Sequence, residues 1–516
     1  MEFYNNLTRK VTQNKIFFPV AIALFYAFYL ISSGSTPFGD DYVYIFKNSH
    51  ITSTSHPFVF WNLKSESYKA WPFTYTVLWI LFKIFGSKFI LYRLTNATIH
   101  LFNAYLVKRI SDDFNKDRSK FIFLIFLFHP LVVENIFWIF QLKTLLATSF
   151  ILGAYIYLKN SVKISFFFFI LSLYTKSIAV FFPFIVPSKT RSLKRNILIV
   201  IPFIIISIYV GVQNIKGITA SSSNTINIRE FYSDKPNYEL DKQMTKENIQ
   251  IQDNRKEMEL APKFYNYFIS FFPQTIESQV LGQKVFNFFS HLGFYIKSSL
   301  GLSKSWLVYP SFSKIQHFIH LIFCLLFFLI FYFSKRLREP LLASLVFYIP
   351  TSGIFYVPYM EHSPVADHWF YTSLAFLMIA MFNLDFKTKK ITLMIFSIFI
   401  CLFVSKTLNN NFRLKNTSDY FFENLKEAPR SKILLEYLIQ IEIEKENFRS
   451  AIILAKKLLS EAHNKVPIYK TLLFLHSEIG DKDSFQITRK RYLEYLDSLG
   501  LNDYRFQEEQ SYFLPR

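Results

Sequence analysis

The stretch WPFTYTVLWILFKIF, from Trp71 to Phe85, decides how the rest of the chain is threaded. It is apolar and carries one charge (Lys83), so it can be counted as a span or laid along the membrane surface. If it crosses a membrane, every later helix runs one way. If it lies along the surface, every later helix runs the other. The positive-inside rule chooses between them. With Trp71 to Phe85 on the surface, the basic residues of the short connections fall on one side. They are Arg9, Lys10, Lys15; Lys108, Arg109, Lys116, Arg118, Lys120; Lys159, Lys163; Lys189, Arg191, Lys194, Arg195; Lys335, Arg336, Arg338; and Lys387, Lys389, Lys390. The short opposite turns near Glu134 and Asp367 hold none before Lys143. The surface placement follows, with the N-terminus cytoplasmic and the C-terminal region extracytoplasmic.

Outward from that stretch, the 516 residues are 51% hydrophobic, 19% aromatic and only 18% charged, with 63 Phe and 31 Tyr. Mean hydropathy is +0.22. This composition excludes a disordered chain and a disulfide scaffold, and it favours an integral membrane protein. The expected spans are Ile16 to Gly34, Phe89 to Val107, Phe121 to Leu131, Leu142 to Leu158, Ile164 to Tyr174, Ile178 to Val186, Ile197 to Val212, Ile315 to Ser334, Leu341 to Tyr359, Trp369 to Leu384 and Ile391 to Val404. The fold class is therefore all-α, a polytopic membrane bundle of about eleven spans. Residues 1–406 form this domain, with a first outer loop over about 35–88 and a long outer loop over about 214–313. The net charge of +21 is accounted for by topology, so no nucleic-acid partner is expected.

Residues 407–516 read as a small helical domain. Pro429 to Leu459 and Pro467 to Leu496 look like two copies of one unit, with polar breaks at Glu446-Asn447 and Gly480-Asp481, 34 residues apart. That is the period of tetratricopeptide hairpins, although an ordinary helical bundle has the same ingredients.

Ionisable groups at membrane depth or at a bundle mouth are costly and so mark candidate sites. Asp40 and Asp41 follow the first span, and two adjacent carboxylates raise one another's pKa, which suits a general base. The same pair after Gly39 is also an ordinary solvated turn. Glu134 lies in a turn with His129, Asn135, Trp138 and Gln141. Arg93, Asn96, His100 and Asn103 share one helical face, either as a substrate-facing stripe with Arg93 on a phosphate or as a polar seam between helices. Lys176 occupies an outer turn, as do Glu361, His362, Asp367 and His368. The catalytic candidates are Asp40, Asp41 and Glu134. The substrate or lipid-phosphate candidates are Arg93, His100, His129, Lys176, Asp367 and His368. No paired-His metal motif, phosphate-binding glycine loop or Gly-x-Ser-x-Gly is present. No metal ligand set is assigned, although oxygen ligands from Asp40, Asp41 and Glu134 would suit a divalent magnesium or manganese ion. Cys324 and Cys401 lie in apolar runs and read as small core residues.

The order of these pieces resembles the multispanning GT-C glycosyltransferases, and among them the transmembrane and tetratricopeptide-repeat protein O-mannosyltransferases and their bacterial relatives. The resemblance rests on the acidic pair, Trp71-Pro72-Phe73-Thr74, Arg93 to Asn103, His129-Pro130 to Glu134 and Trp138, Tyr174-Thr175-Lys176-Ser177, and Ala366-Asp367-His368-Trp369-Phe370-Tyr371. It implies transfer of a sugar from a polyprenyl-phosphate carrier to a protein or glycan hydroxyl on the extracytoplasmic face. Asp40 or Asp41 would take the acceptor proton, and cations such as Arg93 or Lys176 would meet the leaving phosphate. The chain departs from the family at Ser177, where Glu is usual, at His368, where Arg is usual, and at Lys69-Ala70-Trp71-Pro72. The implied location is a bacterial inner membrane, or the endoplasmic reticulum in a eukaryote. A reading from another class is a non-catalytic scaffold or lipid-glycan transporter whose repeats recruit partners.

Overall fold

In the computed structural model the described residues are 17–31, 37, 40–61, 71–186, 193–222, 277–354, 358–384, 389–462 and 465–498. Among them every regular element is helical and none is a strand, so the chain is all-α. The basic groups expected at 9–15, 187–192 and 387, and the polar stretch from 223 to 276, lie outside the described residues.

Contacts divide the chain into two units, with one boundary between Tyr420 and Phe421. In the first, α1 (Phe17–Ile31) is followed by short turns and by α2 (Pro72–Phe85), which begins with Pro72 at its first position and ends at Gly86, φ +56. Then come α3 (Phe89–Asp112), α4 (Lys116–Leu127), the one-turn α5 (Val133–Phe137), α6 (Leu142–Tyr157), α7 (Val162–Leu173) and α8 (Leu193–Ser222). After the gap follow α9 (Glu277–Ser299), α10 (Lys314–Phe333), α11 (Arg338–Tyr348), α12 (Tyr371–Phe382) and α13 (Lys389–Leu414). Side chains mark the starts: Asn115 accepts from the Asp117 and Arg118 amides, and Ser313 and Gln316 form a capping box.

Among the described residues three helices are long and apolar enough to cross a membrane: Ile139–Tyr157, Lys314–Phe333 and Ile391–Leu414. A fourth candidate is α4 together with Pro130–Phe137, bent by 49° at the break. The run expected at Ile178 to Val186 is instead a 3-10 helix, Ser177–Phe184. Pro183 inside it lacks the amide that an α-helix needs there, and eight residues cannot bridge a bilayer. The last apolar helix runs past Val404 to Leu414.

The polar face of α3 is an interhelical seam. Asn96 Nδ2 lies 3.3–3.4 Å from the carbonyls of Asn135, Ile136, Trp138 and Ile139. Asn103 donates to Leu145 O at 3.0 Å, and Ser149 donates to Asn103 Oδ1 at 2.7 Å. At one end of the bundle, Arg118 donates to the Leu384 carbonyl and Arg336 to the Phe114 carbonyl, joining the turns that follow α3, α10 and α12. α9 and α10 cross so closely that a Cβ on Gly293 would stand 1.7 Å from His320 O.

The second unit, described by itself, holds two helical hairpins: Lys432–Glu444 with Phe448–Glu461, and Val466–Glu478 with Lys482–Ser498. Their turns contain Glu446 (φ +58) and Gly480 (φ +70), two left-handed positions 34 residues apart.

The Gly293 crossing yields a stability prediction. Gly293→Val forces α9 off α10 and should cost roughly 1–3 kcal/mol or more, read as a lower unfolding temperature in detergent. Gly282→Ala, where nothing lies within 4 Å, should leave it unchanged or slightly raised. Equal effects of the two substitutions would show that the close crossing is not formed.

Candidate functional site

The site grows out of an interruption in the helices. Between Leu127 and Leu142 the backbone leaves the α-helix three times, for the 3-10 turns Pro130–Val132 and Ile139–Gln141 and the extended residue Trp138. Its polar groups must be satisfied by side chains. Asp41, fully buried, accepts from Phe140 N at 2.8 Å and from Ile139 N at 3.4 Å. It therefore anchors the start of the helix that becomes α6, where a carboxylate is also favoured by the helix dipole. Arg93 donates from Nε to Phe137 O at 3.1 Å and lies 4.3 Å over the Phe137 ring. His129 Nδ1 accepts from Leu131 N at 3.2 Å, while its Nε2 faces Ser299 O at 3.1 Å.

Three expectations change accordingly. His100 and His129 are not poised for substrate: both are fully buried, and His100 sits between Tyr371 Oη (2.6 Å) and Leu127 O (3.2 Å). Arg93, 6% exposed, holds backbone and counters Asp41 rather than facing a ligand. Asp41 is a structural anchor. Sequence spacing could place these residues on faces, but it could not reveal that a broken backbone segment uses them up.

Asp40 is different. It is half-buried, and the charge it faces is the Lys143 ammonium. Lys143 Nζ lies 3.9 Å from the Phe140 ring centre and 4.4 Å from that of Trp71. Lys176 Nζ donates to Thr144 Oγ1 at 2.6 Å, and Thr144 passes a hydrogen bond to Gln141 Oε1 at 2.6 Å. The Lys176 turn is positioned by α2: Thr74 Oγ1 donates to Thr175 O at 2.9 Å and Phe73 N to Tyr174 O at 3.1 Å. Burial, helped by Lys143, pulls the Lys176 ammonium down to about 7, while Glu134 pulls it up. Glu134 completes the group. Its Oε1 pairs with His368 Nδ1 at 2.8 Å, and its Oε2 accepts from His368 N at 3.1 Å. The His368 ring packs edge-on against Trp138 at 5.1 Å.

Asp367 turns the other way, receiving a hydrogen bond from Tyr309 Oη at 2.7 Å and another from Ser305. Burial, with Glu134 nearby, raises its carboxyl well above the ordinary range. Among the described residues no three His, Cys, Asp or Glu side chains stand close enough to hold a metal ion. Asp40, Asp41 and Glu134 do not form an ion cage, because Asp41 is spent on backbone and Glu134 on His368. Sequence reasoning passed over Lys143 as a site residue, and Ser305 and Tyr309 gave no local signal.

What is gathered at this end of the bundle is a carboxylate (Asp40), a buried lysine (Lys143), a half-buried lysine (Lys176) and a carboxylate-held imidazole. Among the described residues neither lysine is within 4 Å of a carboxylate. Such a cluster can hold a phosphate and handle a proton. In comparisons with protein-family profiles, curated proteins and solved structures, nothing matches this chain.

The Asp41 anchor gives a pH prediction. Burial pushes its carboxyl up to about 7, against the pulls of the Phe140 amide and Arg93 and with Asp40 adding to the rise. The folded protein thus keeps a proton that the unfolded chain has already released, so this contribution favours folding in acid and is lost as pH rises towards about 7. Asp41→Asn keeps an acceptor for Phe140 N and removes the titration. The fall in unfolding temperature between pH 5 and pH 8 should be smaller in the variant than in the wild type. Equal slopes would refute the assignment.

Proposed function

We propose that this chain is an integral membrane glycosyltransferase of the GT-C kind. It moves a sugar from a polyprenyl-phosphate carrier to a hydroxyl, in the first instance that of a protein Ser or Thr, on the extracytoplasmic face. The observation that carries the reading is the joint placement of Asp40, Lys143 and Lys176, one carboxylate and two ammonium groups, with neither lysine within 4 Å of a carboxylate among the described residues. A lipid phosphate gives the lysines a direct ionic contact, closer than the longer-range attraction of Asp40 and Glu134. The reading includes a multispanning bundle with this cluster at its outer end, without the crossing expected at Ile178 to Val186. The contacts of Arg118 and Arg336 at the other turns support a basic, cytoplasmic end. It also includes a tetratricopeptide-like tail, supported by the 34-residue spacing of the two left-handed turns.

In this mechanism the acceptor oxygen attacks the anomeric carbon and its proton passes to Asp40. The bond from that carbon to the phosphate oxygen breaks with its electron pair on the oxygen, where Lys143 and Lys176 stabilise the departing charge. Asp41 fixes the start of α6 and hence the position of Lys143.

The test is transfer from a polyprenyl-phosphate sugar by purified protein. Asp40→Asn should lower kcat roughly a hundredfold or more, and Lys143→Met should weaken donor use with the fold intact. The acid limb of kcat/KM follows Asp40, whose carboxyl burial raises above the ordinary range. The alkaline limb follows Lys176, which loses its charge near 7 in the free protein. Lys176→Arg should move that alkaline limb upward. Full activity in both Asp40→Asn and Lys143→Met would sink the reading.

A further inference from the structure

Glu134 and His368 are joined twice over. Ala366 is extended and the chain turns at once into the 3-10 helix Asp367–Trp369, so the His368 amide has no carbonyl partner within that turn. It donates to Glu134 Oε2 at 3.1 Å, while the ring of the same residue meets Glu134 Oε1 through Nδ1 at 2.8 Å. The rings of Trp138, at 5.1 Å, and Tyr359, at 6.1 Å, pack edge-on against the imidazole and help to fix its plane. The other ring nitrogen, Nε2, makes no hydrogen bond among the described residues and keeps contact with open space. Lys176 and Lys143 are the charges that act on the ring. On the carboxyl side stand Asp367 and, across a small cleft, Arg413, which is held by Ser305 O and by the rings of Trp306 and Tyr420.

Such a pair differs from a lone histidine. Burial raises the Glu134 carboxyl well above the ordinary carboxylate range, against the pulls of the His368 amide and Lys176. The pair therefore keeps one proton between Oε1 and Nδ1 near neutral pH. Whichever of these two atoms holds it, the imidazole carries a hydrogen on Nε2. An N–H in the company of two ammonium groups suits an oxyanion. A lipid phosphate goes from one negative charge to two as its bond to the sugar breaks, and Lys176 loses its own charge near 7. A proton delivered to the departing oxygen relieves the site of that second charge. We propose that His368 is the acid of the transfer: its Nε2–H meets the phosphate oxygen bound to the sugar and protonates it as that bond breaks, while Glu134 refills Nδ1. The electron pair of the breaking bond stays on this oxygen and takes the proton. Asp40 has by then received the acceptor's proton, and exchange with water returns Asp40 to its carboxylate and a proton to Glu134. The assignment rests on the transferase reading; Glu134 acts only through His368, as a positioning residue.

The test uses full-length wild type, His368→Gln and Glu134→Gln in detergent, with a panel of polyprenyl-phosphate hexoses as donors and a Thr-containing peptide as acceptor. Gln at 368 offers an N–H but cannot release it, so kcat should fall about a hundredfold or more while the donor KM hardly changes. Glu134→Gln keeps a partner for Nδ1 but cannot refill it, and should lower kcat in the same sense. A second set of donors carries fluorine on the lipid carbon next to the phosphate, which makes the departing phosphate a weaker base. With these the loss in His368→Gln should shrink severalfold, which a purely structural role would not produce. Nitrogen NMR of histidine-labelled wild type at pH 7, with the His368 signals assigned by their loss in His368→Gln, should show Nε2 protonated in the free protein. Thermal unfolding checks that both variants are folded. Equal kcat in wild type and folded His368→Gln, an equal loss with both sets of donors, or an unprotonated Nε2 would each overturn the proposal. A wild type that moves sugar and is matched by His368→Gln removes the role of His368 and leaves the transferase; a wild type that moves none from any donor removes both.

Discussion

The structure depends on satisfying the backbone between Leu127 and Leu142. An unbroken helix pairs its own amides and carbonyls; a broken one within an apolar bundle has no water to turn to, and each orphaned group costs free energy comparable to a lost hydrogen bond. The chain meets this cost with side chains from distant segments. Asp41 takes the amides of Ile139 and Phe140, while Asn96 and Arg93 take the carbonyls of residues 135–139. Removing one of these side chains leaves a buried polar group unpaired, which is dearer than losing a neutral contact.

The same interruption creates the site. Because the chain bends at Pro130 and again at Trp138, Glu134 is carried on a short turn instead of being absorbed into a long helix, and it meets His368. Because Asp41 pins the Ile139–Gln141 turn, α6 starts with Lys143 in its first turn, close to Asp40. The helix α2 contributes by holding the Thr175 carbonyl and with it the Lys176 turn. Two adjacent aspartates thus have different duties, one structural and one facing a cation, and their burial and partners separate them where their sequence positions cannot.

Much of the architecture was legible. The apolar runs locate most helix starts to within a few residues, though the ends of α8, α11 and α13 differ by about ten, and the spacing of Asn96, His100 and Asn103 marks a polar face that must point into protein. The 34-residue spacing of the tail breaks recurs as two left-handed turns. Legibility failed where chain geometry overrides composition. Ile178 to Val186 is apolar enough for a span, but the chain there is a short 3-10 segment, Ser177–Phe184, with Pro183 inside it. Among the site residues, Asp40, Glu134, Lys176 and His368 stood out as charged or ionisable groups at turns. Arg93, His100 and His129 stood out equally, and they are consumed by backbone and by Tyr371.

By itself the sequence determined the helical class, the apolar segments suited to a membrane, and the end of the bundle where ionisable groups collect, because these follow from local composition and from charge at turns. Only the tertiary structure decided which ionisable groups are free to act. That choice depends on which backbone atoms each side chain meets, and the partners lie far apart in the chain: Asp41 with Phe140, Glu134 with His368, Asp367 with Tyr309. No short-range pattern encodes such pairings, since they arise from helix packing and from the need to leave no buried polar group alone.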